Sequence, residues 1–66
     1  MTIQLIDIGR NRVNKTVDVK NEKAILKELS KYLGSRVIDL VESDEPNKYN
    51  VYVGFFRCVG QIIVTE

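Results

Sequence analysis

Nucleophile and base chemistry finds few ingredients in this 66-residue chain. It has one cysteine, Cys58, three serines (Ser30, Ser35 and Ser43) and no histidine. A cysteine or serine nucleophile needs a neighbouring base, and imidazole is the usual one near neutral pH. A lysine or carboxylate would have to serve instead, and no local spacing picks one out. Catalysis is therefore not expected. One thiol without histidine also cannot supply the four ligands of a structural zinc site, so no metal or cofactor is expected. The acidic stretch Asp44-Glu45 with Asn47 lacks the alternating ligands and central glycine of a calcium loop. The four glycines, Gly9, Gly34, Gly54 and Gly60, are too scattered to form a phosphate-cradling loop. Cys58 shares strand parity with Phe56 and Ile62 and is expected to be a small core residue.

Binding chemistry is better represented. Lys23, Lys27 and Lys31 recur every four residues, opposite an apolar helical face. Arg10 and Arg12 lie in an earlier turn-like stretch, Gly9-Arg10-Asn11-Arg12. Together they form a candidate nucleic-acid surface. The bland alternative is a solvated helix face with Glu28 pairing to Lys31. Net charge is only +1, which argues against a strong nonspecific nucleic-acid binder. The balance is uneven, however. Residues 1–36 carry eight basic and four acidic side chains, whereas residues 37–66 carry two basic and five acidic.

The segment from Tyr49 to Thr65 is apolar on both parities of an extended chain. One set is Tyr52, Phe56, Cys58, Ile62 and Val64; the other is Val51, Val53, Phe55, Val59 and Ile63. A half-exposed strand should be polar on one side, so a second cover is expected. The even set is assigned to the core beneath the helix. The odd set, with Val51, Val53, Phe55 and Arg57 and with Ile3 and Leu5 as neighbours, is the candidate partner-binding surface. Aromatic and arginine side chains are common interface anchors. The alternative is that the sheet closes on itself or that a bulge shifts the parity.

The elements that must carry these residues read as follows. Thr2 to Ile8 is a first strand, and Val13 to Lys20 alternates cleanly as its hairpin partner. Asn21 is placed to cap a helix whose apolar face is Ile25, Leu26, Leu29, Tyr32 and Leu33, with Gly34 as its left-handed terminator. Arg36 to Glu42 is a third strand, and residues 43–48 form a polar loop with the only proline, Pro46. Tyr49 to Thr65 is one bent strand or a hairpin. With no Asn-Gly or Asp-Gly signal, a turn at Val59-Gly60 is preferred to one at 54–57, because it keeps both phenylalanines within a strand.

The expected fold is a single small α+β domain over residues 1–66. A β-hairpin precedes one helix, which packs on a mainly antiparallel sheet of four to five strands, ββαββ or ββαβββ. That element order resembles the β-grasp order of ubiquitin-like folds. The chain ends Val64-Thr65-Glu66 without a Gly-Gly tail, so the resemblance does not extend to conjugation or sulfur-carrier chemistry.

A domain this small buries only about 60% of its unfolded surface, and no internal disulfide is available to it. Tight packing or association must compensate. No apolar run approaches a membrane span, and Met1-Thr2-Ile3-Gln4 does not begin a secretion leader, so no membrane partner is expected. A lone thiol fits the cytoplasm. The leading expectation is a small cytoplasmic module for protein–protein interaction. Its size suits an accessory or inhibitor-like protein of the phage or mobile-element type, occupying a surface of a larger partner through an apolar sheet face or edge strand. A nucleic-acid-binding protein and a structural homodimer subunit are the alternatives.

Overall fold

The computed structural model describes residues 1–34, 37–54 and 57–66. Among them the chain forms β1 (Thr2–Ile8), β2 (Val13–Asp18), α1 (Glu22–Leu33), β3 (Ile38–Glu42), β4 (Lys48–Val53) and β5 (Arg57–Thr65). The strands make one sheet in the order β2-β1-β5-β4-β3, and every neighbouring pair is antiparallel. This is the small single-domain α+β architecture expected from the sequence, in its ββαβββ form.

Local chemistry sets the element ends. The Asn21 side-chain oxygen accepts from the Ala24 amide at 3.0 Å, satisfying one of the orphan donors of the first helical turn. Gly34 ends the helix in the left-handed region (φ 62°), and its amide donates to the Ser30 carbonyl at 3.1 Å. The β1–β2 connection turns through Gly9 (φ 73°), with the Arg12 amide donating back to the Gly9 carbonyl at 3.2 Å. The Ser43 hydroxyl closes the β3–β4 loop by donating to the Lys48 carbonyl at 2.8 Å. The Val64 amide then ties that loop to β5 by donating to the Asn47 carbonyl.

Two predictions about the last third are corrected. β4 ends at Val53 and β5 begins at Arg57, so Val59-Gly60 lies within β5 and is not the turn between them. The Val59-Gly60 pair instead forms a β-bulge. Partners run Val53↔Arg57 and Tyr52↔Cys58, then shift by one residue to Val51↔Gly60 and continue to Lys48↔Ile63. A bulge places one unopposed residue in a strand, and that residue reverses the parity of everything beyond it. Odd residues of β4 (Tyr49, Val51 and Val53) therefore share a face with even residues of β5 (Gly60, Ile62 and Val64).

The core follows from that register. Ile3, Leu5, Val51, Ile62 and Leu29 have no exposed surface, and Ile8, Ile25 and Val19 complete the buried set. The helix packs chiefly over β1. The opposite sheet face is mostly polar. Gln4 faces Thr16, Thr2 donates to Asp18 at 2.8 Å, and Gln61 donates to Asn50 at 2.9 Å. Ile6, Val41, Tyr52 and Ile63 are interspersed among these polar residues. The sheet thus has one apolar face, and the two-sided pattern in the sequence records a register shift.

Candidate functional site: an open groove beside the helix

The uncovered apolar surface lies on the helix side of the sheet. Because α1 packs chiefly over β1, it leaves the β4–β3 half of that face, and the end of β5 at Val64, short of cover. Ile38, Leu40, Tyr49 and Val53 of this half are only partly buried. Ile38 lies opposite Val53 and Leu40 opposite buried Val51, which fixes their side chains on the helix side. Leu26 projects from α1 toward the same space and is 40% exposed. Between helix and strand runs a groove of about 710 Å³, with Ile25, Leu26, Ile38, Leu40 and Tyr49 in its walls and Glu22 at the helix end. That volume is within the range of ligand-binding clefts.

The residues expected to form a partner-binding surface separate in space. Ile3, Leu5 and Val51 are fully buried in the core, so they have no surface to offer. The physical reason is the bulge: it gives β4 odd-inward and the β5 segment beyond residue 59 even-inward parity. Val53 is partly buried on the helix side of the sheet, and Arg57, its partner across β4–β5, is exposed at the closed end of the hairpin. Phe55 lies outside the described residues. Two residues assigned to the core by even parity, Tyr52 and Cys58, face each other on the outer side. Cys58 is exposed there, with its thiol 3.6 Å from the Gly60 carbonyl.

The basic candidates are all exposed. Lys23, Lys27 and Lys31 lie on α1 away from buried Ile25 and Leu29, and Lys31 pairs with Glu28 at 3.1 Å. The turn holding Arg10 and Arg12 abuts the last turn of the helix. A Cβ built on Gly9 would lie 3.2 Å from the Tyr32 carbonyl oxygen and 3.4 Å from the Leu33 side chain. Arg10 and Arg12 thus reach the end of the sheet nearest Lys31.

The groove residues Leu26, Ile38 and Leu40 were not singled out from the sequence. A signal was present: Leu26 neighbours Ile25 on a helix whose inward direction is fixed by Ile25 and Leu29, so it must sit toward one flank. Which strand that flank meets depends on sheet order, which the pattern of apolar residues does not encode.

No family model, curated protein or solved structure matches this chain.

Proposed function

We propose that this protein is a small protein-binding module whose contact surface is the groove between α1 and β3–β4. One observation carries the reading: the helix covers only half of the apolar sheet face. Leu26, Ile38, Leu40 and Tyr49 are left on a connected, partly exposed surface. Apolar surface gathered in this way gains by burial in a partner. A binding role rather than a catalytic one is part of the proposal, because the single exposed thiol has no histidine to activate it. The cytoplasm suits a protein with one reduced cysteine, and occlusion of a larger partner's surface is the mode of action that its size fits.

The test compares wild type with Leu26→Asp in affinity capture from the source cell's lysate, at low and high salt. Leu26 is already 40% exposed, so the variant should remain folded. A partner that survives high salt on wild type and is lost from Leu26→Asp supports the groove. Equal capture by both proteins rejects it.

A second reading rests on the contact between the arginine-bearing turn and the lysine-bearing end of α1. That arrangement would suit a nucleic-acid backbone. It requires binding of labelled DNA or RNA that weakens steeply with salt and is lost when Lys23, Lys27 and Lys31 become glutamine. No response at low salt removes it.

A further inference from the structure

The two edges of the sheet are built differently. β2 is a guarded edge: Lys15 lies opposite Leu5 and so sits at the apolar face, and the β1–β2 register shifts between Leu5 and Ile8. Inward-pointing lysines and bulges are the usual protection against unwanted strand pairing. β3 lacks both. Its five residues, Ile38-Asp39-Leu40-Val41-Glu42, pair with β4 in one unbroken register and contain no lysine, proline or glycine. Among the described residues no strand lies on its other side.

The sheet order also sorts charge. It places β2, whose flanks carry Arg10, Arg12 and Lys20, at one edge. At the other it places β3 with Asp39 and Glu42, followed by Asp44 and Glu45. All four acidic residues are exposed, and Lys48 approaches only Glu45, at 3.7 Å.

We infer that the β3 edge accepts an extended segment of a partner protein, added as a sixth strand, in which apolar residues alternate with arginine or lysine. This deepens the groove reading and rests on it. Ile38 and Leu40 point into the groove, whereas Asp39 and Val41 point to the outer face. An added strand would continue that alternation. Its apolar side chains would extend the groove floor beside Leu26, and an outward basic side chain would meet Asp39. Glu42 and the acidic loop would meet basic residues at the segment's end. A second copy of the chain fits poorly. β3 contains no arginine or lysine, so a second β3 strand laid along it would set no basic side chain against Asp39.

The test titrates the full chain with a labelled peptide of about seven residues that alternates arginine with valine, long enough to span β3. Its counterparts replace arginine by glutamate or methylate every second amide nitrogen. The arginine peptide should bind about tenfold tighter or more than the glutamate peptide. It should shift the β3 amide resonances and lose binding when methylated. The double variant Asp39→Lys/Glu42→Lys should reverse the charge preference.

Equal binding of the methylated peptide, resonance shifts centred on β2, or a concentration-dependent dimer paired through β3 would each overturn the inference. So would absence of binding by the arginine peptide. The groove itself falls separately, only if Leu26→Asp leaves partner capture unchanged. Glutamate and arginine peptides that bind equally in the groove would leave it standing and remove the basic strand.

Discussion

Leu29 and Leu26 stand three residues apart on the same helix and mark two halves of one sheet face. Leu29 has no exposed surface and sits over the β1–β5 half with Ile3, Leu5 and Ile62. Leu26 overhangs the β4–β3 half and is 40% exposed. Both halves are built from branched and aromatic side chains, so composition does not separate them. Coverage does: a single helix of 12 residues, packed over β1, cannot also shield the far edge. One half holds the fold together, and the other is left open.

The difference can be broken by mutation, and the largest effect is expected at Gly60. Its φ of +145° disfavours a side chain, and an added Cβ would lie 2.8 Å from the Asp7 carbonyl oxygen and 2.9 Å from that of Ile6. Both obstacles are backbone, so Gly60→Ala should cost on the order of 3 kcal/mol or more, read as a lower urea midpoint. Because a domain of this size has only about 3–5 kcal/mol in reserve, the variant should be largely unfolded. A folded Gly60→Ala protein of wild-type stability would mean that the bulge is not where β1 and β5 meet so closely.

Leu29→Ala should cost about 2–5 kcal/mol, the range for emptying a buried leucine site. Leu26→Ala should cost less than about 1 kcal/mol, as a partly exposed position does. Equal midpoints for the two variants would erase the distinction between the halves. Asn21→Ala, which removes the helix cap common to both, should cost about 1 kcal/mol. The smallest effect sharpens the comparison without mutation. Amide exchange should be slower in β1 and β5, the central strands under the helix, than in β3 at the bare edge. Comparable protection in β3 would point to a cover over that edge.

Several parts of this arrangement were legible from residue types. The N-cap at Asn21 and the terminator at Gly34 follow from side-chain and backbone chemistry confined to a few neighbouring residues. So do the first hairpin and the buried helix face of Ile25 and Leu29. The candidate surface was not legible, and the reason lies in one residue. Val59 sits in the bulge between two registers, so strict alternation from residue 49 to 65 assigns Val51 outward and Cys58 inward, when the reverse holds. The close packing that requires glycine at position 60 is made with β1, more than 50 positions earlier in the chain. No local pattern announces it.

By itself the sequence determined that the chain forms strands, one capped helix and a single apolar core. It also determined that the basic and acidic side chains divide between the first and second halves. These properties depend on alternation, capping and composition, which act over short stretches. Only the tertiary structure decided that β5 pairs with β1 and that a bulge turns Val51 and Ile62 to the same side. It alone decided that β3 becomes an acidic edge beside an open groove. Those outcomes depend on which strand lies next to which, and strand order is set by packing of the whole chain over its core.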